Sequence, residues 1–152
     1  MAASCDGIAQ IAATDSMTPE QVRLIKNSFD TMWPMRGDIA ELCYLRFFEL
    51  APEAKALFKD DMEQQRAKLM DMIAALVGSL DQHAIFQSIV ATSGRQHARF
   101  GVRASQYTAL GEALMWSLER KLGASLTPEL LASWQALYAT VQAEMQRAAA
   151  RA

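Results

Sequence analysis

Of the two histidines in this sequence, His83 and His97, only the second stands where a side chain could do chemistry. His97 lies in the run Ser93-Gly94-Arg95-Gln96-His97-Ala98-Arg99-Phe100-Gly101-Val102, near the end of a short helical stretch and just before a glycine-marked break. A long amphipathic helix starts a few residues later. An imidazole held in place by helices can offer a neutral ring nitrogen to a metal ion. His83, in the connection Asp81-Gln82-His83, reads as solvent-facing. The two cysteines, Cys5 and Cys43, make neither a disulfide framework nor a zinc site. Cys43 falls inside a helical pattern and reads as a small buried hydrophobe, whereas Cys5 lies in an unpatterned leader and can be a free thiol.

The elements that must position His97 are helical. Almost nothing alternates with period two, and no Asn-Gly or Asp-Gly hairpin signal is present. Residues 1–16 read as a flexible N-terminal leader and 17–152 as a single domain. Thr18-Pro19-Glu20-Gln21 opens the first helix with a hydroxyl cap, a proline at the first helical position and Gln21 closing a capping box. Val22, Ile25, Phe29 and Trp33 form its apolar stripe, and Pro34 ends it. A second helix spans about 36–50, with Leu42, Cys43, Phe47 and Leu50 available for packing. Ala51-Pro52-Glu53 breaks it and opens a short turn ending near Leu57-Phe58. Asp61 can cap the next helix, with Gln64 at its third position and Leu69, Ile73, Leu76 and Leu80 as its stripe. Residues 82–98 read as one or two short helices, followed by long helices near 105–122 and 128–148. The first of these buries Tyr107, Leu110, Leu114 and Leu118, and the second Trp134, Leu137, Tyr138, Val141 and Met145.

Composition bounds what such a bundle could do. The chain has 152 residues, 51% hydrophobic and 21% charged, so it can bury a sizeable core without staples. A net charge of −2 argues against a nucleic-acid or anionic-membrane surface. The longest apolar run, Met72-Ile73-Ala74-Ala75-Leu76-Val77, is far too short to span a bilayer. The N-terminus lacks a basic region followed by an apolar stretch, so no signal peptide is expected and the location is read as cytoplasmic.

About seven helical segments with this spacing is the helix count of a globin, and the resemblance then becomes specific. Phe47-Phe48-Glu49-Leu50-Ala51-Pro52-Glu53 followed by Leu57-Phe58 resembles the globin segment where the second helix ends and a phenylalanine turns toward the haem. Gly94-Arg95-Gln96-His97 with Gly101-Val102 resembles the proximal segment of neuroglobins and bacterial single-domain haemoglobins. Leu110-Gly111-Glu112-Ala113-Leu114 and Trp134-Gln135-Ala136-Leu137-Tyr138 are similar to their last two helices. The resemblance covers about residues 18–147 and implies an all-α globin fold, a three-over-three helical sandwich around a haem pocket.

It also implies roles. His97 falls at the position of the proximal ligand of haem iron, with haem b as cofactor. Aligning Lys68-Leu69-Met70 with the distal helix puts Gln65 where animal globins commonly carry histidine, with Leu69 one turn later; Gln64 is the alternative register. Tyr44 falls where bacterial haemoglobins and flavohaemoglobins carry a tyrosine, so the distal set resembles theirs. A phenol O–H and an amide N–H would stabilise the partial negative charge on bound oxygen more than on carbon monoxide. Phe58 is expected to stack on the macrocycle, Val102 and Leu69 to line it, and Lys68 to reach a propionate or stay solvated. Tyr107 matches a tyrosine that in flavohaemoglobins holds the proximal imidazole together with a glutamate; here that position falls near Ala148 to Ala150, and Glu144 is out of register. That departure weakens the expectation of strong peroxidase-like activity.

The resulting expectation is a protein that reversibly binds oxygen, nitric oxide and carbon monoxide, as a monomer or weak homodimer. Nitric oxide dioxygenation would need a separate reductase to return the iron to its ferrous state. The alternative is a haem-based gas or redox sensor acting through a partner protein. A third class, a haem-free interaction module, is disfavoured by the presence of His97 and Phe58 together.

Overall fold

Each of the four prolines stands at the first or second position of a helix, where its missing N–H costs nothing, so the chain's punctuation and its helices coincide. The computed structural model describes residues 17–59 and 61–151. The leader over 1–16, with Cys5, lies outside the described residues. Six α-helices follow in order among them: α1 Pro19–Met32, α2 Arg36–Leu50, α3 Met62–Gly78, α4 His83–Arg99, α5 Ala104–Leu122 and α6 Pro128–Ala150. Short 3-10 turns at Trp33–Met35, Pro52–Leu57 and Gly123–Ser125 connect them, and the described residues contain no strand.

The starts are capped as their sequences require. Thr18 and Gln21 close a reciprocal capping box on α1. Asp61 accepts from the Glu63 N–H at the start of α3, a cap made without Gln64, and Thr127 accepts from the Leu130 N–H on α6. Of the one or two short helices expected over 82–98 the structure has one, and it is long, because Gly94 sits inside it without breaking it. His83 is accordingly the exposed first residue of α4, not part of a connection. Two stripe residues also fall differently: Leu80 lies beyond the Ser79 cap of α3, and Leu50 is exposed on α2.

The helices form two crossing layers. Most contacts join α2 to α5 and α4 to α6, with α1 packed on α6 and α2 on α3. The core runs through Ile25, Ile39, Cys43, Phe86, Val90 and Leu118, all essentially fully buried. The α1–α6 contact is pinned by a hydrogen bond from Trp134 Nε1 to Ser28 Oγ at 3.0 Å. No helix among the described residues is long and apolar enough to cross a membrane.

Two glycines set how closely the layers approach. A Cβ on Gly94 would lie 2.5 Å from the Met145 carbonyl oxygen and 2.8 Å from its Cα, so α4 meets the backbone of α6 directly. A Cβ on Gly111 would lie 2.5 Å from Cε1 of the Tyr138 ring. At Gly94 the obstacle is helical backbone, which cannot swing aside. Gly94→Ala is expected to force α4 off α6 and cost on the order of 1–3 kcal/mol, the usual overpacking penalty. Gly37→Ala, with open space around the new methyl, should be neutral or stabilising. Urea unfolding of the two variants against the parent checks this, and equal midpoints would refute the close-contact argument.

Candidate functional site

His97 lies on the last full turn of α4 and leans back toward the helix N-terminus, as helical side chains do. Its Nδ1 sits 2.6 Å from the Ser93 carbonyl oxygen and 3.3 Å from the Ser93 hydroxyl. A carbonyl can only accept, so Nδ1 carries the proton and donates it there. The Nε2 lone pair is thereby left open, and it has no hydrogen-bond partner among the described residues. A carbonyl-held tautomer of this kind is how metal-binding histidines are oriented.

The backbone then locks the corner. Gly101, at φ 75°, ends α4 in the left-handed region; its N–H donates to the Ala98 carbonyl, and the Val102 N–H donates to the His97 carbonyl at 3.1 Å. This paired closure draws Val102 back over His97. The Tyr107 ring, on the first turns of α5, stacks beside the imidazole with centroids 5.8 Å apart and planes 28° from parallel. Tyr107 thus meets His97 by ring contact, and the hydrogen bond goes to Ser93 instead. Tyr138 on α6 donates to the Tyr107 carbonyl and anchors that ring from behind. Glu144 is buried but paired with Arg147, and it does not line the site.

Two further polar side chains line the same cavity as His97. Tyr44 on α2 is buried, with its ring edge-on to Phe58 at 5.6 Å and to Phe47 at 6.3 Å. Gln65 on α3 donates from Nε2 to the Tyr44 hydroxyl oxygen at 3.3 Å. Because that oxygen accepts from the amide, the phenolic O–H remains free to donate elsewhere. Gln64 is exposed and points away from this group, so the register is that of Gln65.

Tyr44, Phe58, Gln65, Lys68, Leu69, His97, Val102 and Tyr107 all line one cavity of about 470 Å³. Its walls are mostly apolar, with Ile73, Leu76, Leu114 and Leu137 among them. Lys68 is exposed and forms part of the rim. Sequence reasoning missed Lys59, Gln96 and Phe100 at the rim, and it missed Ser93 as the partner of Nδ1. Only Ser93 carried a signal, since it lies four residues before the histidine on the same helix face.

The family model for Globin matches residues 41–145. The chain belongs to the globin family. Among its relatives, neuroglobin from Tetraodon nigroviridis is 26% identical over 147 residues, covering 88% of this chain and 92% of that protein. Neuroglobin from Chaenocephalus aceratus is 25% identical over the same coverage. Among solved structures, an engineered carbene transferase made from a candidate nitric oxide dioxygenase of Rhodothermus marinus superposes with a TM-score of 0.80 at 25% identity, over 89% of this chain and 94% of the other. A hexacoordinated haem protein from an anhydrobiotic tardigrade gives 0.79 at 16% identity, over 87% and 94%, a likeness of fold alone.

As a globin the chain binds haem and small gas ligands, and its site suits that cofactor on its own geometry. The free Nε2 would take the iron, Phe58, Leu69 and Val102 would face the macrocycle, and Tyr44 with Gln65 would face the opposite side. The cavity volume lies within the range of pockets that enclose compact organic ligands. No cluster of three or more His, Cys, Asp or Glu exists among the described residues.

Burial marks the site's titrating groups. It pushes the Tyr44 phenol up to about 12, an effect only partly offset by the hydrogen bond from Gln65. Burial raises the Cys43 thiol from 9.0 to about 12, and it raises Tyr107 and, most strongly, Tyr138. Tyr44 therefore stays a protonated donor at any physiological pH. These groups hold their protons longer folded than unfolded, so the unfolded chain releases protons first. Stability is expected to be unaffected by them below about pH 9, then to fall as pH rises toward about 12. Urea midpoints across that range, with phenolate absorbance recorded alongside, check the sign; phenol ionisation near pH 10.0 in the folded protein would contradict it.

Proposed function

We propose that this globin binds haem b through His97 and reversibly holds oxygen, nitric oxide and carbon monoxide under Tyr44 and Gln65. Given a separate reductase, it converts nitric oxide and oxygen to nitrate. One arrangement carries this reading: an unprotonated imidazole nitrogen from α4 and a hydrogen-bonded phenol–amide pair from α2 and α3 line one mostly apolar cavity. The globin segment contains no C-x-x-C-H attachment motif, which supports a non-covalently held cofactor. When bound, the haem supplies an iron that takes up the gas and exchanges one electron.

The protein's own residues supply the rest. Ser93 keeps the proton on Nδ1, so the imidazole meets the iron as a neutral ligand. Gln65 donates to the Tyr44 oxygen, and this polarises the phenol O–H and strengthens the bond it can give to a charge-separated ligand. The aromatic group of Phe47, Phe48 and Phe58 around Tyr44 excludes water that would screen that bond. The overall reaction balances as one nitric oxide, one oxygen and one electron giving one nitrate anion. The electron would be supplied by a separate reductase, and Tyr44 and Gln65 would offer their O–H and N–H to the bound ligand.

Tyr44→Phe removes the donor and keeps the ring. Oxygen release is expected to quicken several-fold, on the order of 1 kcal/mol for a lost neutral hydrogen bond. Carbon monoxide release should change little, and equal effects on both gases by flash photolysis would remove Tyr44 from the donor role. His97→Gly should lose the five-coordinate ferrous spectrum and regain it when imidazole is added. Unchanged spectra without imidazole would overturn the proximal assignment.

A further inference from the structure

A second groove, of about 420 Å³, lies on the surface where α5 and α6 run beside the end of α2. Gly111, Met115 and Trp116 reach it from α5, Tyr138 and Ala139 from α6, and Leu50 from α2. Tyr138 and Gln142 line both this groove and the cavity of His97, so they stand between the two. The Tyr138 hydroxyl is fastened to the Tyr107 carbonyl, which keeps that wall in place. Filling the cavity therefore leaves the groove open, and the exposure of its margins does not depend on what the cavity holds.

The groove has the composition of a contact surface rather than of ordinary solvated helix. Leu50 is 39% exposed, and Met115 and Trp116 are only half-buried. Interfaces are enriched in Trp, Tyr, Met and Arg, and here Trp116, Tyr138, Met115 and Arg46 share one groove. The Trp116 ring is already held, with the Arg120 guanidinium 4.4 Å and that of Arg46 5.5 Å from its centroid. An aromatic fixed in advance loses little freedom when a partner covers it.

The charges select the partner. Arg46 is paired with Glu49, but Glu112 and Glu119, which also line the groove, have no ion-pair partner among the described residues. Arg120 has none either and stacks on Trp116. One face thus carries unpaired charges of both signs. A strongly acidic partner would meet the two glutamates, and a strongly basic one the arginine. A two-fold axis, by contrast, turns a face upon itself, so an arginine and glutamates side by side become partners across it. Shape agrees with charge. Gly111 and Ala139 bring almost no side chain beside the large Leu50, Met115 and Trp116, so a ridge of one copy has a groove to enter on the other.

We propose that this α5–α6 face is where two copies of the chain associate about a two-fold axis. From Thr108 to Glu119 the groove follows about 16 Å of α5. With α6 and the end of α2 alongside, the footprint is on the order of 500 Å² per copy, below the ~800 Å² of a standard interface. The dimer is therefore expected to be weak and exchanging, with a dissociation constant of micromolar order. The inference goes beyond the functional reading above and uses none of the cavity's chemistry, so either can fail alone.

The test is sedimentation velocity of the full-length, haem-loaded protein from about 1 μM to about 1 mM, which brackets a weak contact. The parent should pass from monomer to dimer across that range, and the transition should move to higher concentration as salt rises. Glu112→Arg/Glu119→Arg makes the face basic and Arg120→Glu makes it acidic, so each alone should associate about tenfold more weakly or worse. An equimolar mixture of the two should recover the dimer at about the parental concentration, which a variant that had lost its fold could not do. Trp116→Ala should weaken association several-fold and leave the salt dependence intact. Arg95→Glu, exposed on α4, should change none of this.

A parent that stays monomeric at the top of the range would overturn the proposal and leave the groove to a different protein or to another segment of this chain. A dimer indifferent to Glu112, Glu119, Arg120 and Trp116 would overturn it by placing the contact on another face. A mixture of the opposite variants that stays monomeric would remove the charge pairing across the axis, and the proposal with it.

Discussion

The hydrogen bond from His97 Nδ1 to the Ser93 carbonyl decides which ring nitrogen is available, and the rest of the site is arranged around that choice. The bond is local to one helix, yet it acts only because the helix itself is held. Gly94 lets α4 sit against the backbone of Met145, and the Val102 N–H ties down the carbonyl of His97 from the other end. Tyr107, itself fastened by Tyr138, then limits rotation of the imidazole. Backbone groups do most of this positioning, and they move less than side chains do. The orientation of Nε2 is thus a property of how two helices cross rather than of one rotamer.

The opposite side of the cavity follows a different physical logic. An apolar enclosure makes any single hydrogen bond stronger, and it makes any unpaired polar group expensive. Tyr44 and Gln65 meet both conditions by bonding to each other while the phenol O–H and the second amide N–H stay available as donors. The burial that strengthens the bond also holds the phenol in its neutral form, since the charged form is what burial penalises. Donor strength and protonation state thus have one cause. A more open pocket would lose both together.

How much of this could be read in the chain depended on the range of each interaction. Helix starts rest on contacts three or four residues apart, so Thr18 with Gln21, and Thr127 at α6, were legible at once. The globin fold was legible because motif spacing records helix lengths and the corner after His97. Whether 83–99 held one helix or two was left open, since a Ser-Gly pair inside it weakens local helix propensity. Only the packing of Gly94 on Met145, across the molecule, shows why glycine stands there. The rim residues Lys59, Gln96 and Phe100 were illegible for a related reason. Periodicity tells which face of a helix is apolar, but where a cavity reaches solvent depends on how helix ends meet.

That meeting of helix ends also explains why so much falls on one short corner. A helix that must end directly after its histidine turns there through a glycine with positive φ, and its last side chains project beyond the bundle. Arg99 stands at the end of that helix, and Arg103 precedes the start of the next. The inner face of the corner is committed to His97, Phe100 and Val102, which line the cavity, whereas Arg99 and Arg103 do not. One turn of backbone thus carries both the side chains that enclose the cavity and exposed charges that take no part in enclosing it.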